Sequence, residues 1–271
     1  MTSMALAPRT ALFLPASNPR AIAKARTLDC DMVILDLEDA VKPEDKAAAR
    51  EAAVAAMAEG FGERIAAIRI NAADTAEHAA DLAAAASSAA AVVVVPKVED
   101  AATAARIVAA GKPILAMIET PAGVLAAAGI AATPGVAGLI AGTNDLKASL
   151  GIPSAAGRGG LALALQTVVL AARAGGGWAL DGVFNALADP QGLEAECRDG
   201  RALGFDGKTL IHPGQIATAA LAFAPTADEI ADARALLAAA QGGAERFRDR
   251  MIEAMHVAQA RLLLQRAGER D

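Results

Sequence analysis

Two acids stand where a cation could be held. Glu119 in M-I-E-T-P and Asp145 in G-T-N-D-L each follow a short apolar run, and the two runs are consecutive. If those runs are neighbouring strands, both carboxylates reach one rim and can converge on an ion. Hard divalent cations such as Mg²⁺ take oxygen ligands and commonly need only one or two carboxylates beside water and substrate. Both residues also precede or open helical stretches, where a carboxylate can cap the first turn. Position alone leaves the two readings open.

Other ionisable residues recur at equivalent points. Arg69 closes the run I-A-A-I-R, where a guanidinium suits a bidentate grip on a substrate carboxylate or enolate oxygen. A salt bridge to Asp36 or Glu38 is the alternative, and the two roles are compatible. Asp36, Glu38 and Asp39 form a dense acidic group in D-L-E-D, and at alternate spacing Asp36 and Glu38 share one face of an extended chain. They can hold metal-bound water, orient Arg69 and Lys97, or simply solvate a turn. His212 in L-I-H-P serves either as a base or as a structural residue. No H-E-x-x-H, Cys/His zinc spacing or G-x-S-x-G occurs, so zinc hydrolysis and a serine nucleophile are unsupported. Cys30 and Cys197 lie outside any C-x-x-C or nucleophile motif and read as ordinary buried thiols.

The elements that must position these residues follow a simple alternation. Short apolar runs at 11–15, 32–37, 65–70, 91–96, 113–118, 136–141, 179–184 and 208–211 read as strands, several of them apolar throughout, as strands covered on both faces are. Helical patterns lie between or after them at 19–28, 43–59, 75–88, 100–110, 121–131, 160–174, 190–203 and 214–223. Eight such pairs in 271 residues predict an α/β fold, a (β/α)₈ TIM barrel, over a doubly wound sheet, because no G-x-G-x-x-G turn follows an early strand. In such a barrel the working face is at the C-terminal ends of the strands, where Asp36, Glu38, Asp39, Arg69, Lys97, Glu119, Asp145 and His212 fall. The stretch 151–160, rich in Gly, Ser and Ala, reads as a flexible loop. Residues 1–224 are expected to form the barrel and 225–271 a helical extension, with helices at 227–240 and 245–266 separated by Gly242-Gly243, placed to cap a neighbouring subunit.

Composition narrows the class. Hydrophobic residues make up 55% of the chain and mean hydropathy is +0.36, but much of this is alanine, which suits soluble helices. The longest weakly polar stretch, 82–95, carries two serines and ends at Pro96, short of the ~20 strongly apolar residues of a spanning helix. It reads as a helix end running into a buried strand, and no membrane partner is expected. A net charge of −6, with no basic block and no tyrosine, argues against nucleic-acid binding. The N-terminus lacks a basic region followed by a long apolar run and does not read as a signal peptide. With only two, distant cysteines, a cytoplasmic enzyme fits.

Taken together, L-F-L-P-A-S-N-P-R (12–20), V-I-L-D-L-E-D-A-V (33–41), I-R-I-N (68–71), V-V-P-K-V-E (94–99), I-E-T-P-A-G-V (118–124), A-G-T-N-D-L (141–146), D-G-V-F (181–184) and G-F-D-G-K-T-L-I-H-P-G-Q-I (204–216) resemble the HpcH/HpaI aldolase and citrate lyase family, in its citrate lyase β-subunit-like branch. The resemblance implies a trimeric or hexameric barrel with Mg²⁺ held by Glu119 and Asp145. It implies substrate contacts from Arg69, Glu119, Arg20 and Asn144, with Asp36, Glu38, Asp39 and Lys97 behind them. Arg69 would grip a 2-oxo acid carboxylate or enolate, and the loop bearing Arg20 would meet a coenzyme A thioester. Related lyases place a catalytic aspartate after M-I in a C-terminal segment that reaches into a neighbouring subunit. Here R-D-R-M-I-E-A-M (248–255) puts Glu253 at that point, and Ala16 replaces the family's glycine after the first strand. The implied reaction is Mg²⁺-dependent cleavage of a carbon–carbon bond in a 3-hydroxyacyl-CoA thioester of malyl, citramalyl or citryl type, giving a 2-oxo acid and an acyl-CoA. Alternatives are a class II aldolase acting on free 2-oxo acids, a malyl-CoA thioesterase, and a non-autonomous β subunit of a larger lyase complex.

Overall fold

In the computed structural model, which describes residues 6–269 except 154, 241, 242 and 244, the apolar runs become strands. The first half of the barrel runs β1 (Thr10–Pro15), α1 (Pro19–Ala25), β2 (Met32–Asp36), α2 (Lys46–Glu59), β3 (Ile65–Arg69), α3 (His78–Ser87), β4 (Val92–Val95) and α4 (Ala101–Val108). The second half runs β5 (Ile114–Ile118), α5 (Pro121–Ala131), β6 (Val136–Ala141), α6 (Thr143–Ser149), α7 (Ala162–Ala174), β7 (Trp178–Asp181), α8 (Pro190–Leu203), β8 (Gly207–Leu210) and α9 (Ile216–Phe223). Strands β1 to β8 pair in chain order, and β8 returns to β1, closing the expected eight-stranded barrel. All the barrel pairings are parallel, for example Asp36 opposite Arg69 across β2 and β3.

The period of two along each strand explains how the site is aimed. Side chains at i and i+2 share a face. Met32 and Ile34 of β2, Ala67 of β3, and Leu115 and Met117 of β5 pack in the apolar interior with Phe13, Val94, Ile140 and Leu180. One step further along the same inward rows come Asp36, Arg69 and Glu119. The apolar layer is therefore the floor beneath the charged layer. Fully burying one such aliphatic side chain stabilises the fold by roughly 1.5–3 kcal/mol, so the floor is rigid.

Helix starts follow local chemistry. Asn18, Thr120 and Asp189 each accept a hydrogen bond from a main-chain N–H in the first turn and each is followed by proline, whose fixed φ suits that position. Pro43–Asp45 forms a 3₁₀ turn leading into α2, which ends at Gly60 with φ +81°.

Three expectations need correction. Helix α6 went unpredicted because T-N-D-L-K-A-S is short and buries only Leu146. The end of the stretch 151–160 is pinned: a 3₁₀ turn, Arg158–Leu161, holds Arg158 against Asp181 with Nη–Oδ distances of 2.9 and 3.2 Å. The C-terminal segment has its two helices, but the second begins nine residues later than expected. After α10 (Ala227–Ala239) comes an antiparallel hairpin, β9 (Glu245–Phe247) with β10 (Arg250–Ile252), and only then α11 (Ala254–Arg266). Gly242, half of the expected break, lies outside the described residues.

Residues Ala7–Ala222 form one compact unit, and the chain from Phe223 belongs to another. The second has its own small core of Ala233, Leu236, Phe247, Ile252, Ala260 and Leu264. Among the described residues no helix is long and apolar enough to cross a membrane; the 82–95 stretch divides into the end of α3 and the whole of β4, as expected.

Candidate active site

At the C-terminal ends of the strands a cavity of about 370 Å³ opens, with Asp36, Arg69, Glu119 and Asp145 in its wall. Arg69 is clamped from below. Its Nε and Nη2 donate to the two Asp36 oxygens at 2.7 and 2.6 Å, its Nη1 lies 2.8 Å from Glu38, and its plane sits 4.8 Å from the centre of the Phe13 ring. A fork-on-fork pair of this kind fixes direction as well as charge. Burial opposes the guanidinium's charge, but the bonds to Asp36 and the charges of Asp36, Glu38 and Asp39 outweigh it and hold the pKa above its usual value. The salt-bridge reading of Arg69 is thus realised, while the guanidinium still faces the cavity.

The acidic group is an orienting device. Asp36 holds Arg69 and accepts from the Glu38 and Ala40 N–H groups at 2.9 and 3.1 Å. Glu38 bridges Arg69 and Lys97, whose Nζ lies 3.3 Å from Glu38 Oε1. Burial raises the pKa of Glu38, partly offset by Arg69. Asp39 is largely exposed, 3.9 Å from Arg69. Sequence reading missed the hub behind them: the Lys46 ammonium donates to Leu37 O, Glu38 O and Asn71 Oδ1 at 2.8, 2.8 and 2.7 Å. All three of its hydrogens are used, so it locks the turn that carries Glu38. Nothing in the local pattern of K-A-A-A announces this, because its partners are mostly main-chain carbonyls.

Glu119 is 2% exposed, and among the described residues its one hydrogen-bond partner is the Lys97 N–H, at 2.8 Å. Burial, then the charges of Glu38 and Asp145, push its carboxyl up to about 7. Gly142 makes room for it: a Cβ there would collide with the Cβ and Oε2 of Glu119. Asp145 is half-buried in the first turn of α6 and lines the same cavity. The capping alternative fails for both acids. Thr120 caps α5 through its hydroxyl, and α6 starts at Gly142 with no side-chain cap.

The remaining expected residues are dispersed. Asn144 lies on the rim and its Oδ1 accepts from Asn185 at 2.6 Å. Arg20 is exposed in α1, beyond the end of β1. His212 accepts from the Gly214 N–H at 3.0 Å and serves as a helix cap, which favours its structural reading. Glu253 belongs to the C-terminal unit, exposed at the start of α11, with its N–H donating to His256 Nδ1 at 3.0 Å.

Among the described residues no group of three or more His, Cys, Asp or Glu side chains converges as a closed metal cage. Two carboxylates on an open cavity, one of them buried and short of partners, instead suit a cation that keeps waters and substrate oxygens in its shell, as Mg²⁺ does.

A second charged cluster lies at β7 and β8. Lys208 and Asp181 are both fully buried and 3.0 Å apart; Arg158 grips Asp181 from the other side, and Glu196 lies 2.8 Å from Lys208.

Residues 9–213 match the HpcH/HpaI aldolase/citrate lyase family. A (3S)-malyl-CoA thioesterase of Cereibacter sphaeroides is 40% identical over 269 residues, covering 96% of this chain and 94% of that one. A citrate lyase subunit beta-like protein of Mycobacterium tuberculosis is 39% identical over 265 residues, covering 95% of each. The crystal structure of CitE from Mycobacterium tuberculosis in complex with magnesium, acetoacetate and coenzyme A superposes with a TM-score of 0.84 at 39% identity, covering 98% of this chain and 99% of that one.

Proposed function

Since the chain belongs to the HpcH/HpaI aldolase/citrate lyase family, we propose that it cleaves, or forms, a carbon–carbon bond in a 3-hydroxyacyl-CoA thioester, with a 2-oxo acid and an acyl-CoA on the other side of the reaction. The observation that carries this is Glu119: a buried carboxyl at about 7 that lines one cavity with Asp145 and Arg69.

Glu119 and Asp145 would hold Mg²⁺, as magnesium is bound in the Mycobacterium tuberculosis CitE complex. When bound, the ion supplies Lewis acidity and a template for the substrate's hydroxyl and carboxylate oxygens. Arg69, held by Asp36 and Glu38, lines the cavity and would stabilise the negative charge that grows on a substrate oxygen there as the bond breaks. The apolar floor of Phe13 and Met117 keeps that charge out of bulk water. Arg20, exposed beyond β1, is the cation we assign to the coenzyme A arm, and Asn144 a rim contact to substrate. Proton transfer we assign to Glu253, on the family resemblance alone. We further propose a cytoplasmic homotrimer or homohexamer.

The decisive assay is release of a 2-oxo acid from malyl-, citramalyl- and citryl-CoA with and without Mg²⁺. Mg²⁺-dependent release from one of them is expected, and its absence from all three rejects lyase activity. The 40% identity to the (3S)-malyl-CoA thioesterase favours a second reading, in which water takes the place of the carbon partner. Free malate and coenzyme A from malyl-CoA, with no 2-oxo acid, would select it.

A further inference from the structure

We infer that Lys97 is a positioning residue for Glu119, acting through its main-chain N–H and not through its ammonium; the inference rests on reading Glu119 as a ligand of the divalent cation. Among the described residues only Lys97 and Arg248 combine a side chain with positive φ, and Lys97 has φ +51°. A lysine held in the left-handed region persists only where its surroundings over-determine it, and such residues gather at functional sites.

The surroundings here are specific. β4 ends at Val95, and Pro96, which has no N–H, follows. Lys97 therefore carries the first N–H beyond the strand. The left-handed turn sends it to Glu119 Oε1 at 2.8 Å, while the next N–H, of Val98, returns to Met117 O at 3.3 Å. The two bonds tie the end of β4 to the inward row of β5 on either side of Glu119's predecessor. With Oε1 held by the amide, Oε2 lies at Gly142, at the head of the turn that carries Asp145. One carboxylate oxygen is fixed, and the other lies at the N-cap of the helix that carries Asp145.

The Lys97 side chain does something separable. It is 40% exposed and its Nζ reaches Glu38 at 3.3 Å, not Glu119. Glycine at this position would keep both the N–H and the left-handed turn while discarding the ammonium. Valine would discard the ammonium and oppose the turn, because a β-branched residue is a strong outlier at positive φ.

The test is Mn²⁺ affinity of the metal-free protein, followed by electron paramagnetic resonance at pH 8, with thermal melting alongside. Lys97→Gly is expected to bind Mn²⁺ within about threefold of the wild type, Lys97→Ala more weakly, and Lys97→Val about tenfold or more below it. Equal loss in all three variants assigns the effect to the ammonium and overturns the proposal. A lower melting temperature in Lys97→Val with Mn²⁺ affinity unchanged reduces the turn to a structural role and also overturns it. If Lys97→Val does not fold, the ranking of Lys97→Gly above Lys97→Ala decides in the same way. Wild-type protein that binds no Mn²⁺ overturns the ligand reading of Glu119 together with this one, whereas binding that survives in Lys97→Val overturns only the positioning.

Discussion

At the end of β7 the fully buried carboxylate of Asp181 meets two cations, Arg158 and Lys208, and the Gly182 N–H besides. At the end of β5 the almost equally buried carboxylate of Glu119 meets one amide and, among the described residues, no cation at bonding distance. The two strand ends belong to the same barrel and place the same chemical group at similar depth. What differs is how far the chain itself compensates the charge. A buried carboxylate that is paired and fully hydrogen-bonded is finished as structure, whereas one left short costs the folded state free energy until something positive arrives. The shortfall at Glu119, beside Asp145, marks where an added cation would be most welcome.

The largest effect should come from Glu119→Gln. Losing several kcal/mol of Lewis-acid stabilisation is worth about 10³-fold or more in kcat, so Mg²⁺-dependent turnover should vanish. Metal-free Glu119→Gln should nonetheless melt higher than the metal-free wild type at pH 8. Turnover that persists, or a lower melting temperature, would erase the contrast. Lys208→Met should behave in the opposite way. It strands Asp181 with Arg158 alone, and breaking a buried pair costs roughly 3–5 kcal/mol. Chemical denaturation should register that loss while Mn²⁺ affinity at 10 °C stays near the wild-type value.

The pH dependence sharpens the comparison. Glu119 titrates near 7 in the folded protein, above the ordinary carboxylate value of 4.5. A raised pKa means that the folded state favours the proton, so metal-free protein should lose stability as pH rises from 4.5 through about 7. Proton and metal compete for the same oxygens, so Mg²⁺ affinity should fall up to tenfold per unit below pH 7 and level off above it. Calorimetric titrations at a series of pH values check this, and a flat profile would remove Glu119 from the metal's shell. The smallest effect is expected of Gly142→Ala. The added methyl intrudes on Glu119 and costs roughly 1–3 kcal/mol by overpacking. Part of that cost should appear as weaker Mn²⁺ binding and not only as a lower melting temperature.

Particular residues show why much of this was legible in the sequence. Asp36, Arg69 and Glu119 extend inward-facing apolar rows by one step, so their places at the ends of apolar runs, with the rule for barrel strand ends, bring them to one rim. Its place after the sixth apolar run singles out Asp145, on a helix that periodicity misses, since a seven-residue helix with one buried side chain has no apolar stripe to read. The pinned loop at Arg158 escaped because its partner Asp181 is distant in sequence, and small residues around it look slack. The hairpin at 245–252 reads as helix in the sequence because its few apolar residues, Phe247, Met251 and Ile252, fit either period over so short a span. Lys46 and the Lys97 amide act through the main chain, whose geometry no residue type announces.

Closure of the eight-stranded sheet has a consequence for self-association. A closed barrel exposes no row of unpaired main-chain donors and acceptors, so its strands offer no template to another chain. The described strands with open flanks are β9 and β10, which pair only with each other and are three residues long. The exposed charges of Arg246 and Asp249 beside them discourage edge-to-edge growth. Removing those charges would put the danger of fibril-like stacking in the extension, while the closed barrel offers no edge to it.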